Sequence, residues 1–130
     1  MKLRKEIDSL GELNIPANAY FGIQSFRASE NFQISGTQVH PLIIKSYLLL
    51  KKAAALANQK TKSLDENKSK AIVSAVDQLL NINLQSEGQK YFIIDAYQAG
   101  AGTSQNMNAN EVIANKANEI LGNPLGSYLE

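Results

Sequence analysis

The 130-residue sequence predicts a mainly α-helical fold, with an irregular N-terminal arm of short strands or turns followed by about three helices in a single domain. Two observations carry that reading. From Pro41 onward, three windows place apolar residues at the i, i+3, i+4, i+7 spacing of one helical face; before Ser35, glycine, proline and polar residues interrupt every apolar run. The length allows one modest core and is too short for two.

The arm, residues 1–39, lacks a core of its own. Its segment AYFGIQSFRASENFQISG nevertheless carries Tyr20, Phe21, Ile23, Phe26, Phe32 and Ile34, which must bury against helices of this domain or against another part of a larger protein. The helical part, 40–130, opens at His40 and Pro41, because proline is pre-organised for the first helical position. Leu42, Leu49, Ala53, Leu56 and Ala57 then fall on one side and Ile43, Tyr47, Leu50 and Ala54 on the flank, a stripe wide enough to need neighbours on more than one side.

Ser63 with Glu66 makes a capping-box pattern that opens a second helix to about Leu84, with Ile72, Ala75, Val76, Leu79 and Leu80 as its apolar face. Gly88 suits a stop, and Tyr91 to Ile94 reads as a buried strand or an apolar approach to the next loop. A third helix places Ile113, Ala114, Ala117, Ile120 and Leu121 on one stripe, and Gly122 with Pro124 ends it.

Composition narrows the function. Lys plus Arg at 13 against Asp plus Glu at 12 leaves a formal charge of +1, so no basic field for nucleic acid or an anionic membrane is present. Without cysteine there are no disulfides and no thiolate catalysis, and a single histidine cannot found a metal site of several imidazoles. No stretch approaches the roughly 18 apolar residues of a membrane span, and MKLRKEIDSLGEL holds no apolar run of signal-peptide length, so a cytoplasmic location is the default expectation.

The informative stretch is Tyr97 to Asn110, YQAGAGTSQNMNAN. Gly100 and Gly102 permit a sharp turn and close approach to main-chain N–H groups, and Thr103 or Ser104 can cap the helix that follows. The first helical turn then offers free N–H groups and the positive end of the dipole to a carboxylate or phosphate. An ordinary tight turn with its cap is the alternative. Against it stands the crowding of Thr103, Ser104, Gln105, Asn106, Asn108 and Asn110, far more hydrogen-bonding capacity than one cap consumes. Asn106 and Asn110, four apart, share a face. A dinucleotide site does not fit: the third glycine of GxGxxG falls at Gln105, and no βαβ unit surrounds the loop.

Other candidates read as structural. His40 is a helix-start residue. Arg27 and Glu30 read as a local ion pair, with a carboxylate clamp as the alternative, and Asp95 is a turn residue or an acid-base group. No nucleophile, base and orienter can be assembled, so the chain reads as one that binds.

These motifs resemble a known family. QAGAGTSQNMNANEVIANKANEILG is similar to the first signature region of the fumarase/aspartase superfamily, IPANAYFG with GIQSFRASENFQISG to its N-terminal stretch, and KAAALANQKTKSL and DAYQ follow in the same order. GAGTS, YFGIQSFRA and ISG are more similar to the aspartate ammonia-lyases than to the fumarases, while Ala99 departs from the QGGAGTS usual there. The resemblance implies the first domain of that fold and reversible elimination of ammonia from L-aspartate to give fumarate, without an organic cofactor; no metal-ligating residue is assigned. It implies that Gly102, Thr103 and Ser104, with Asn106 behind them, contact a dicarboxylate substrate. It also implies that the serine base and the central helical and C-terminal domains lie outside these residues, so that the chain alone is inactive. The family's sites are shared between subunits of a homotetramer. Fumarate hydratase and a non-catalytic dicarboxylate-binding or assembly module are the alternatives. Leu129 and Glu130 read equally as a vector-derived junction or a native ending.

Overall fold

The computed structural model describes residues 2–127, so Leu129 and Glu130 lie outside the described residues. Strands β1 (Leu3–Asp8) and β2 (Gly11–Pro16) form an antiparallel hairpin with Leu3 opposite Pro16 and Asp8 opposite Gly11. Gly11 takes a φ of 117° after the turn, where the Asp8 carboxylate accepts the Leu10 N–H at 2.9 Å. The hairpin buries Ile15 and Glu6. Arg4 holds the exit from the hairpin: its guanidinium donates to the carbonyls of Pro16, Ala17, Ala19 and Phe21 and pairs with Glu6 at 2.7 Å.

The arm is more ordered than its composition suggests, since it also contains helix α1 (Ile23–Asn31). The short run carries no Ser, Thr, Asp or Asn cap of its own, and Gly22 occupies that position. Its closure comes from elsewhere in the chain. Ile23 N–H donates to Glu6 at 2.8 Å, Gly22, Gln24 and Ser25 N–H donate to Glu111 at 2.9 to 3.0 Å, and the Ser25 hydroxyl also donates to Glu111.

Helix α2 (Pro41–Lys60) begins as expected, with His40 Nδ1 accepting the Leu42 N–H at 3.2 Å. Its buried side is Ile44, Leu48 and Ala55. The expected stripe faces solvent instead: Leu42, Leu49 and Leu56 are exposed, and Leu50 beside them is 62% exposed. A helix apolar around most of its circumference gives periodicity no contrast by which to choose a face.

Helix α3 (Glu66–Leu80) is capped by Asp65, whose carboxylate accepts from Asn67 and Lys68 N–H at 2.9 and 3.1 Å, and not by Ser63. It ends at Asn81, short of Leu84. Ala75, Val76 and Leu79 are buried as the pattern requires. Gly88–Lys90 forms one 3-10 turn, and Tyr91 to Ile94 is not a strand. The Asn108 side chain satisfies that backbone, donating to the Tyr91 carbonyl and accepting the Ile93 N–H, both at 3.0 Å, which lets Phe92 and Ile94 bury fully.

Helix α4 (Thr103–Leu121) ends at Gly122 in the left-handed conformation, as predicted. Val112, Ile113 and Ala117 enter the core, whereas Ile120 and Leu121 at the last turn stay exposed. The main core lies among α2, α3 and α4, centred on Leu48, Val76, Phe92 and Val112; the hairpin and α1 add a smaller cluster around Ile15 and Ile23. Among the described residues no helix is long and apolar enough to cross a membrane.

Candidate functional site

The loop from Tyr97 enters α4 through Gly102, which adopts φ 77°, ψ 13° and donates its N–H to the Ala99 carbonyl at 2.8 Å. This left-handed position suits glycine, and a Cβ there would meet only the Tyr47 hydroxyl, at 3.5 Å. Gly102 is itself the N-cap. Thr103 and Ser104 therefore do not cap the helix, and their hydroxyls sit inside its first turn.

The consequence is chemical. The first bond of the α4 ladder runs from Asn106 N–H to the Gly102 carbonyl at 3.1 Å, so the N–H groups of Thr103, Ser104 and Gln105 precede it without a backbone partner. Thr103 is exposed, Ser104 half-buried and Gln105 buried, so the residues that carry these donors run from the surface inward. The other helix starts differ. His40 closes α2, Asp65 closes α3, and the Glu6 and Glu111 carboxylates occupy the start of α1. Gly22 and Gly102 both open a helix, but among the described residues only the first has carboxylates seated on it.

Asn106 turns toward α2, where its Oδ1 accepts from Lys51 Nζ at 2.7 Å; Asn110 leans on the Met107 sulfur at 3.7 Å. Gln105, 3% exposed, has both amide atoms unpartnered, and Gln98 Oε1 on the other side of the loop is also without a partner. For such a buried amide a hydrogen-bond partner is worth about 1 to 3 kcal/mol, so Gln98 in the loop and Gln105 on α4 are polar groups with capacity for a further contact.

The other sequence candidates fall into structural roles. Arg27 pairs with Asp8 at 2.9 Å and donates to the Gly11 carbonyl, not to Glu30, so it locks α1 to the hairpin and is not a free clamp. That guanidinium holds the Asp8 carboxyl below its usual range. Asp95 is an anchor: its carboxylate accepts from the N–H groups of Tyr97, Ser35 and Gly36 and from the Ser35 hydroxyl, which lowers its pKa to about 2. Because the folded value lies below the unfolded one near 3.8, this stabilisation is present above about pH 4 and is lost as pH falls through 2. Asp95→Asn is accordingly expected to lower the urea midpoint at pH 6, with the gap to the native chain narrowing between pH 4 and 2. A constant gap across that range would exclude the ionised anchor.

The sequence reading did not single out Glu111 or Lys51. Glu111 was detectable as an acid placed directly before Val112 on the buried side of α4, whereas Lys51 carries no signal apart from its partner. A cleft of about 710 Å³ also opens between the hairpin, α1 and α4, lined in part by Ile7, Leu10, Ile23 and Met107. Its charged groups, Asp8, Arg27 and Glu111, already serve one another or the α1 backbone. No group of three or more metal-ligating side chains occurs among the described residues.

The pattern of a family described as "Lyase" matches residues 11–128. The chain belongs to the fumarase/aspartase lyase family. Its resemblance to that superfamily, read from the GAGTS and NMNANE motifs, is thereby confirmed. This lyase chain is 50% identical over 126 residues to the aspartate ammonia-lyase of Bacillus subtilis, covering 97% of the chain and 26% of the relative. It is 46% identical over 123 residues to the class II fumarate hydratase of Halobacterium salinarum, covering 95% and 25%. A solved fumarate lyase:delta crystallin from Brucella melitensis superposes with a TM-score of 0.89 at 49% identity over 98% of the chain and 27% of its own. The lyase chain thus spans about a quarter of the length of the curated relatives it matches. Its helices and N-terminal hairpin agree with the fold expected of the family's first domain.

Proposed function

We propose that residues 1–130 act as the N-terminal domain of an aspartate ammonia-lyase, in which Gly102, Thr103, Ser104 and Asn106 form one wall of the substrate carboxylate site. The single observation that supports this is the first turn of α4, where N–H groups without a backbone partner and two hydroxyls follow a left-handed glycine. The start of α1 is an internal comparison: Gly22 there is extended, not left-handed, and the N–H groups at that helix start are met by carboxylate oxygens.

The reaction removes a proton from Cβ of L-aspartate and expels ammonia, giving fumarate. As the Cβ proton leaves, charge moves onto the neighbouring carboxylate, and donors fixed in advance at that position lower the barrier because their bonds strengthen as the charge grows. The α4 turn supplies such donors. The base and the remaining walls come from residues beyond these 130, from other subunits of a cytoplasmic homotetramer, and no cofactor takes part. The likeness to relatives about four times longer supports this division.

The test uses the purified chain and a spliced enzyme in which it replaces the matching quarter of the B. subtilis aspartate ammonia-lyase. The chain alone is expected to release no ammonia from L-aspartate, and the spliced enzyme to turn it over. Turnover by the chain alone would overturn the one-wall reading; a folded spliced enzyme that releases no ammonia would overturn the ammonia-lyase assignment. The similar identity to class II fumarate hydratases supports a second reading, hydration of fumarate. Splicing the chain into the H. salinarum hydratase separates the two: activity kept there and lost in the ammonia-lyase favours hydration.

A further inference from the structure

We propose that Lys51 is a positioning residue for the α4 carboxylate seat, acting through Asn106 and bringing a positive charge to the helix start. The inference rests on the reading of Gly102 to Asn106 as that seat.

Three observations carry it. Lys51 lies on α2, 55 residues away in sequence, yet its ammonium donates to Asn106 Oδ1 at 2.7 Å and so ties the first turn of α4 to a second helix. Tyr47, one turn earlier on the same face of α2, sets its hydroxyl 3.5 Å from the Cβ position of Gly102. The two side chains therefore back the loop at both ends, against Gly102 and against Asn106.

The third observation concerns charge. Lys52, the next residue, is neutralised by Asp77 at 2.5 Å, and Lys5, Lys70 and Lys116 are each paired with a glutamate. The half-buried Lys51 instead bonds a neutral amide. The first turn of α4 holds no acidic residue, so this ammonium lies beside the positive end of a 19-residue helix with no carboxylate of that turn to offset it. Two positive ends held together are unfavourable by themselves and become favourable when an anion sits between them. The arrangement therefore selects a carboxylate.

The test is steady-state kinetics of the spliced enzyme. Lys51→Met is expected to raise KM for L-aspartate about 10-fold with a smaller change in kcat, because it removes attraction present before as well as during the reaction. Lys51→Arg should recover most of the loss. KM of the unaltered enzyme should rise with salt more steeply than that of Lys51→Met, since screening acts on the charge removed. Adding Asn106→Ala to Lys51→Met should cost little more than the larger single loss, as two residues acting through one contact are not additive. Should Lys51→Met fail to assemble, Lys51→Gln decides by the same KM criterion, since it keeps a donor for Asn106 without the charge.

An unchanged KM in the neutral variant, or losses that multiply in the double variant, would overturn the role of Lys51. The seat itself is judged separately: Thr103→Ala that loses activity while Lys51→Met keeps it rejects only the lysine, and two unaffected variants reject the seat.

Discussion

Thr103→Ala in the spliced lyase is expected to lower kcat by about 100- to 1000-fold, the usual cost of removing one donor from a developing oxyanion. Stability should hardly change. Thr103 is exposed, and with Gly102 as the N-cap its hydroxyl does not close the helix, so the fold should lose no more than about 0.5 kcal/mol. A hydroxyl that capped α4 would behave differently, costing about 1 kcal/mol of stability and altering rate only as a by-product. Circular dichroism melts beside ammonia-release kinetics distinguish the cases. Loss of rate with an unchanged melt supports a substrate contact. Equal rates for the variant and the unaltered enzyme would remove Thr103 from the mechanism, and the same comparison at Ser104 would then decide whether the hydroxyls matter at all.

How far the sequence disclosed this arrangement depends on where the determining contacts lie. Local signals were legible. His40 before Pro41, the αL glycine at Gly122 and the Ala75, Val76 and Leu79 face of α3 follow from residues within one turn of each other. The glycine-hydroxyl-amide loop was legible for the same reason, since its composition already exceeds what a cap requires. Small shifts arose where two local solutions compete: Asp65 and Ser63 can both begin α3, and the carboxylate nearer the helix does so.

Features made by distant residues were not legible. Helix α1 has no cap in its own sequence because its caps stand at Glu6 and Glu111, the latter 86 to 89 positions away. Arg27 finds Asp8 across the hairpin, and no spacing within FRASENF favours that over Glu30. On α2 the apolar character is so broad that the side with Leu42, Leu49 and Leu56 looks like the core in sequence and faces solvent in the fold. Lys51 belongs to the same class, since its significance exists only through Asn106 on another helix.

Glu111→Leu should be the most damaging single change to the fold, lowering stability by about 3 to 5 kcal/mol, since several donors lose one shared acceptor at roughly 1 to 3 kcal/mol each before the site relaxes. The carboxylate is 5% exposed and receives three backbone N–H groups and one hydroxyl from α1. Leucine fills similar space but leaves the Gly22 and Ser25 donors buried with no acceptor, and an unmet buried donor costs more than the bond it loses. Glu6 would still hold the Ile23 N–H, so the expected outcome is release of α1 and the hairpin from α4 before the three-helix core opens. For a chain of this length such a loss corresponds to a fall in Tm of roughly 10 to 20 °C. Glu111→Gln keeps one carbonyl acceptor and should fall less. Amide exchange locates the effect: Ile23 to Asn31 should lose protection in Glu111→Leu while α3 retains it. A melt indistinguishable from the native chain would mean that α1 is held by packing alone and that the carboxylate beneath it is incidental, whereas exchange that rises equally in α3 would mean that α1 opens only together with the core.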